Sequence, residues 1–124
     1  MTTTPVEDLS PVAVERAIRD CSNRISRGVQ ICAVRYTAFL EADHACDLAE
    51  ARAYIAAKEY PAHERKFRAI VATEDERRVR DVADAAYRHA ERQAKALDNE
   101  LRALQSLGAS LRTQYGVAGR GEMG

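Results

Sequence analysis

Hydrophobic residues in the first half of the chain recur every three or four positions from Val14 to Tyr60. This spacing places them on one stripe of a helix, and its mean period near 3.5 is typical of a coiled-coil seam. The sequence therefore predicts one long helix with a continuous apolar stripe. The residues of this first ladder are Val14, Ile18, Cys21, Ile25, Gly28, Cys32, Arg35, Phe39, Ala42, Cys46, Ala49, Ala53, Ala56 and Tyr60.

A second ladder of the same kind follows in the last third of the chain. Together with the first ladder, it predicts a long helical hairpin. The residues of the second ladder are Ala83, Ala86, Ala90, Ala94, Leu97, Leu101, Leu104, Gly108, Leu111 and Tyr115.

Residues with strong local preferences predict where these helices begin and end. Ser10 followed by Pro11 is a typical helix start, and Pro61 steers the residue before it out of the helical region, so the first helix should run to about residue 59. Thr73 with Glu76 has the form of a capping box, which predicts the start of the last helix. The glycine-rich segment 116–121 should end that helix near residue 115.

The pattern as a whole predicts an all-α fold, a long antiparallel, coiled-coil-like helical hairpin. Residues 11–115 should form the hairpin domain with a turn near 60–73, between flexible tails at 1–10 and 116–124. A hairpin buries only one stripe on each helix, while 46% of the residues are hydrophobic. We therefore expect the ladders to bind further copies of the chain in a homo-oligomer.

The charge, the cysteines and the absence of targeting patterns indicate in which cellular compartment the protein is expected. The formal net charge is zero, so no global field indicates a nucleic acid or a membrane. Three cysteines, Cys21, Cys32 and Cys46, all lie on the apolar stripe, and none forms a Cys-x-x-Cys pair, which is typical of reduced buried thiols. No segment has the pattern of an export signal or a membrane span. These features predict a cytoplasmic protein.

Metal and catalytic motifs give no sign of an enzyme. Glu41 and His44 have the Glu-x-x-His spacing of di-iron helical bundles, but His89 lacks the matching glutamate, and a solvated acidic face explains the motif better. His63 likewise stands apart from any zinc-ligand pattern. The sequence also lacks a nucleophile elbow and a phosphate-binding glycine loop. We expect no enzymatic activity, no metal and no cofactor.

Basic residues cluster around the predicted turn, among several acidic ones. Such a cluster can bind a phosphate backbone, and Tyr54 or Tyr60 can stack on bases if exposed. Solvated salt bridges explain much of the same pattern. The turn cluster comprises Lys58, Arg65, Lys66, Arg68, Arg77, Arg78 and Arg80, and a second set on the first helix comprises Arg16, Arg19, Arg24, Arg27 and Arg35.

About two thirds of the chain, from Asp43 to Tyr115, resembles UvsY-type bacteriophage recombination mediators and their small helical relatives. The resemblance rests on Ala-Glu-Ala-Arg-Ala-Tyr at 49–54, Glu-Arg-Lys at 64–66, the acidic helix start at 72–76, Tyr87 and the leucine-rich stretch at 101–108. It implies an oligomer that binds single-stranded DNA and helps to load a recombinase while displacing the single-strand-binding protein.

The resemblance also implies where DNA binds. Arg52 matches a basic residue that contacts DNA in that family, whereas Glu50 stands where a second basic residue is expected. Lys58, Arg65, Lys66 and Arg68 lie near the same end of the predicted hairpin and complete the predicted nucleic-acid-binding set. Two alternatives remain open from the residues alone. One is a scaffolding protein that binds another protein through its apolar stripe, and the other is a small regulator of a host protein.

Overall fold

The computed structural model of the chain describes residues 10–123, with side chains for residues 10–116. Three α-helices occupy nearly all of this range: α1 spans Pro11–Ala56, α2 spans Ala62–Ala72 and α3 spans Glu74–Met123. No strand occurs among the described residues. The predicted all-α fold class is confirmed. Residues 1–9 of the predicted N-terminal tail lie outside the described range, and Ser10 directly precedes α1.

The described residues divide into two compact units, and α1 and α3 each contribute to both. The terminal unit combines the residues up to Val29 with those from Gln93 onward, and the middle unit comprises Gln30–Arg92. The helix α2 lies wholly within the middle unit.

In the terminal unit, α1 and α3 run in opposite directions and contact each other through the two ladders. The Cys21 thiol donates to the carbonyl oxygen of Leu97 over 3.4 Å. Closer to the start of α1, Val14 is buried against Gly108, and a Cβ added to this glycine would lie 3.4 Å from the Val14 Cγ1 atom. The glycine thus allows the two backbones to approach closely at this level.

In the middle unit, the parts of α1 and α3 also run in opposite directions. The rings of Tyr36 and Tyr87 lie with their centroids 5.0 Å apart, and farther along α1 the Glu50 carboxylate lies 2.9 Å from the Arg77 guanidinium. The buried residues of this unit are all small, and their short side chains let the helices approach closely. They are Cys46, Ala57, Ala69, Thr73 and Ala90.

Most ladder positions are buried or half-buried as predicted, but Arg35, Ala56, Tyr60 and Tyr115 are exposed. At the first two of these, the next residue along the chain takes the predicted place. Arg35 is exposed, and Tyr36 next to it makes the contact with α3 instead; Ala56 is exposed, and Ala57 is buried in its place. Both shifts keep a step of three or four residues, so a heptad pattern does not distinguish them. The two ladders contact each other inside each unit. A second copy of the chain would therefore have to bind a surface other than the ladders, which the sequence had predicted as the contact between copies.

The helix ends differ from the predicted ones on both sides of the α1–α2 turn and at the C-terminus. α1 ends at Ala56, and the predicted turn near 60–73 contains the eleven-residue helix α2. Pro61 lies at the N-cap of α2 with φ near −59°, a value that its ring fixes in advance. α3 continues to Met123, so the prediction that it ends near residue 115 is wrong; helix propagation adds one hydrogen bond per residue and carries it through Gly116.

Thr73 joins α2 and α3 in a way that the capping-box prediction describes only in part. α3 begins at Glu74 as predicted, with three acidic residues in its first turn. The buried Thr73 hydroxyl, however, donates to the carbonyl oxygen of Ala69 over 2.7 Å. The same carbonyl also accepts the backbone N–H of Thr73 over 3.2 Å, so the backbone and the side chain of Thr73 together close the C-terminal end of α2.

Candidate nucleic-acid interface

The α1–α2 turn in the middle unit brings together four of the five predicted DNA-binding cations. Lys58 lies in the turn itself, and Arg65, Lys66 and Arg68 lie on α2 directly after it. The fifth, Arg52, lies one turn before the end of α1. The chain reverses here because Pro61 cannot continue α1 and is well suited to start α2.

Arg65 stabilises the turn. Its guanidinium donates to the carbonyl oxygen of Lys58 over 2.8 Å and to the carbonyl oxygen of Tyr60. These carbonyls follow the end of α1, where unpaired acceptors and the negative end of the helix dipole favour a cation. Arg65 is half-buried, and its two hydrogen bonds to the turn hold the guanidinium in place.

Arg68 is also engaged within the chain. Its guanidinium lies 3.0 Å from the Glu64 carboxylate, one helical turn earlier, and its Cζ atom lies 3.5 Å from the centre of the Tyr60 ring. One face of Tyr60, a predicted base-stacking residue, is therefore covered by a guanidinium. The contact leaves Arg68 exposed, so a phosphate can still reach it.

Three predicted cations stand free at this end of the middle unit. Arg52, Lys58 and Lys66 are exposed, and none of them forms an ion pair within the described part of the chain. Arg52 differs from the two lysines in its surroundings, because it follows Leu48 by four residues and precedes Ile55 by three on one exposed side of α1. Free ammonium groups at the turn can release counterions when they bind phosphates.

The other basic residues near the turn are paired with acids of the same unit. Arg77 contacts Glu50 and Arg78 contacts Glu74, the latter at 2.6 Å. Arg80 lies between Asp43 and Asp81, at 3.9 and 3.6 Å. Glu50, which interrupts the expected basic pattern, thus serves as the partner of a cation on α3. Arg77 and Arg80 connect α3 to α1, whereas Arg78 pairs within α3. All three provide little free charge.

An apolar groove lies beside the cations, between the end of α1 and α2. It encloses about 680 Å³. Phe67, on its rim, is 65% exposed and leaves its ring open to solvent. The sequence shows the apolar stretch 67–71, but only the reversal at Pro61 places it against the alanines of α1. The residues that line the groove are Ala53, Ala56, Ala57, Tyr60, Glu64, Phe67, Arg68, Val71 and Ala72.

Two ionisable groups outside the turn have raised pKa values. Burial, followed by the Glu100 carboxylate, raises the pKa of the Cys21 thiol, and Glu91 raises the pKa of Tyr87 by accepting its hydroxyl hydrogen. Both shifts favour the neutral, unreactive form. Among the described residues, no three histidine, cysteine or acidic side chains come together as a set of metal ligands. Glu41 and His44 therefore belong to no such set.

Comparison with known proteins gave no match to a protein family, to a curated protein or to a solved structure. Within residues 10–123, none of the three helices has a stretch long and apolar enough to cross a membrane. The geometry at the turn and the resemblance of residues 43–115 are therefore the two observations that bear on the function.

Proposed function

We propose that this chain is a cytoplasmic, single-stranded-DNA-binding recombination mediator that helps to load a recombinase. The observation that carries the proposal is the α1–α2 turn, where Lys58 and Lys66 are exposed and unpaired among the described residues, and where Phe67, which follows Lys66 on α2, exposes its ring. A recombinase and a single-strand-binding protein are the further partners that the resemblance implies. The proposed protein has no enzymatic activity and uses no cofactor.

The combination of free cations and an open aromatic ring favours a single strand over a duplex. Lysines attract phosphates of any nucleic acid, whereas an aromatic ring stacks on base faces that a duplex keeps covered. Phe67 offers such a ring, and Arg68 already stacks on Tyr60 in a similar planar contact. We assign Lys58, Lys66 and Phe67 as the main contacts, with Arg68 as an additional phosphate contact.

Each chain supplies only a few contacts, so the proposal includes a homo-oligomer. Joining several weak sites on one assembly raises the effective concentration of each site for a long strand, and overall affinity rises without new contacts. The antiparallel pairing of α1 and α3 inside each unit is compatible with the coiled-coil-like hairpin predicted for the protomer.

Titration of a fluorescently labelled oligothymidine at several salt concentrations tests the proposal. The logarithm of the affinity should fall with the logarithm of the salt concentration, by about 0.7 for each phosphate contact. The double variant Lys58→Ala/Lys66→Ala should lower the magnitude of this slope by about 1.4. Phe67→Leu should weaken binding by about 1 to 3 kcal/mol and leave the slope unchanged, because stacking releases no counterions.

Lys95→Ala is the matched control, because Lys95 is an exposed lysine of α3 that lies in the other unit. Arg65 stays intact in this series because its loss would uncap α1. If the wild-type chain shows no binding at low salt, or if Lys95→Ala reduces binding as much as the double variant, DNA binding at the turn is excluded.

A scaffolding role is the second candidate, and the apolar groove beside α2 is the observation that favours it. A groove of about 680 Å³ can accept apolar side chains of a protein partner. Contacts of that kind depend little on salt, because they involve few charges. The same titration therefore separates the two candidates: a steep salt dependence supports DNA, and its absence supports the scaffold.

A further inference from the structure

A second heptad stripe runs along α1, and all of its side chains are exposed. Its positions alternate in steps of three and four, as in the buried ladder, but they lie on another side of the helix from Phe39, Cys46 and Ala53. The stripe consists of Ile31, Val34, Ala38, Glu41, Ala45, Leu48, Arg52 and Ile55. Ile55 is 70% exposed, an unusual position for a large apolar side chain at regular helical spacing.

The stripe borders exposed apolar surface on α3 as well. Ala45 and Val79 line one shallow cavity of about 240 Å³, together with Ala42, Asp75 and Glu76. Val79 is exposed, and Val82 lies one helical turn farther along α3 and is exposed too. The apolar face of the middle unit is therefore wider than one helix.

Residues 38–55 of this stripe are complementary to themselves when one copy is turned end to end. In that arrangement Ala38 lies opposite the second copy's Ile55, Glu41 lies opposite its Arg52, and Ala45 lies opposite its Leu48. Each small residue meets a large one and each charge meets its opposite. Neither Glu41 nor Arg52 has an ion-pair partner within the described residues of its own chain.

Charge selects this arrangement over the others that the same apolar residues allow. A parallel pair with helices in register would place Glu41 against Glu41 and Arg52 against Arg52, which costs like-charge repulsion. An antiparallel pair shifted by one heptad would place Glu41 opposite Ala45 and Arg52 opposite Val34. That register buries both charges without partners.

We propose that residues 38–55 of α1 form a two-fold, antiparallel interface with a second copy of this chain. Ala45 and Leu48 lie at the centre, and two Glu41–Arg52 pairs flank them, because an isologous interface contains every contact twice. Arg52 therefore acts in assembly and not in phosphate binding. The interface stands independently of the proposed function, since it requires no DNA and involves neither lysine of the turn.

Charge exchange between Glu41 and Arg52 tests the interface. The wild-type chain should sediment as a dimer, and either single variant, Glu41→Arg or Arg52→Glu, should weaken the dimer by about 100-fold, roughly tenfold for each of the two pairs. An equimolar mixture of the two single variants should dimerise again, because each chain then meets opposite charges on its partner. The double variant Glu41→Arg/Arg52→Glu should also recover the dimer.

Asp47→Arg is the matched control, since it reverses an exposed acid of α1 outside the stripe and should leave the dimer intact. Circular dichroism of each variant shows that α1 remains helical, so a lost dimer is not mistaken for a lost fold. A wild-type chain that sediments as a monomer at about 100 µM overturns the proposal, because an interface weaker than this is far from a stable dimer. Failure of the mixed single variants to associate overturns it as well.

Discussion

The two units use the same pair of helices but bury different kinds of side chain. In the terminal unit, α1 and α3 contact each other through valine, isoleucine and leucine positions, and few large apolar residues stay outside. The middle unit has an alanine-rich interior, and it contains twelve of the fifteen large hydrophobic residues that are exposed among the described ones. The middle unit therefore leaves much more large apolar surface exposed than the terminal unit does.

The difference follows from how helix pairs gain stability. Bulky side chains remove much apolar area from water at each contact, while alanine seams gain from close backbone approach and leave larger residues for other faces. In the middle unit those other faces carry the groove beside α2 and the exposed stripe of α1. The exposed apolar surfaces therefore occur in the unit whose buried residues are small.

The largest effect should come from placing a charge in the terminal core. Val14→Asp should destabilise the protein by about 3 kcal/mol or more, because the new carboxylate would be buried without a partner. Val12→Asp is the control: Val12 lies two residues away on the same helix and is 64% exposed, whereas Val14 is only 3% exposed. Urea unfolding followed by circular dichroism measures both. Equal losses at the two positions would contradict the assignment of Val14 to a core.

Ion pairs should differ between the units by a smaller amount. Arg77 and Glu50 of the middle unit lie 2.9 Å apart and are 26% and 35% exposed, whereas Arg24 and Glu100 of the terminal unit lie 3.4 Å apart and are 53% and 48% exposed. Double-mutant cycles with alanine should give a coupling of about 1 kcal/mol for the first pair and less than about 0.5 kcal/mol for the second. The reverse order would show that the middle unit does not rely on its interhelix ion pairs.

The smallest effect concerns thiol reactivity in the folded protein. Cys32 of the middle unit is half-buried, whereas Cys21 of the terminal unit and Cys46 are buried. Cys32 should therefore react first with a disulfide reagent, and Cys21 only when the protein opens locally. Single-cysteine variants allow each rate to be measured separately. Equal labelling rates at all three cysteines would contradict the difference in burial between Cys32 and the other two.

Cys21 also gives the direction of a pH effect. Burial raises its pKa in the folded state above the ordinary value of 9.0, so the neutral thiol favours folding. This contribution is fully present below pH 9.0 and is lost as the pH rises through the folded-state pKa. The labelling rate of Cys21 should consequently rise only at a pH above its ordinary pKa of 9.0.

Local sequence features predicted α1, α3 and most of their buried faces, whereas α2 was predicted as a turn. The three-four spacing identified the positions of Val14, Cys21, Cys46 and Ala90 because helix geometry alone places such residues on one side. Pro61 determined where the chain reverses, since its ring excludes the preceding residue from the helix. The basic cluster at the turn was visible for the same reason, as its members follow one another closely in sequence.

Tertiary contacts decided the rest, because spacing does not say which helix face meets which. Only the pairing of α1 with α3 inside each unit shows that the two ladders cover each other, that Tyr36 replaces Arg35 at the contact, and that Arg77 and Arg80 are neutralised by acids of α1. The exposed stripe of α1 could be read from the sequence as a second heptad. It becomes a candidate interface only once the first heptad is known to be occupied, because a helix offers several faces and the fold selects which remain free.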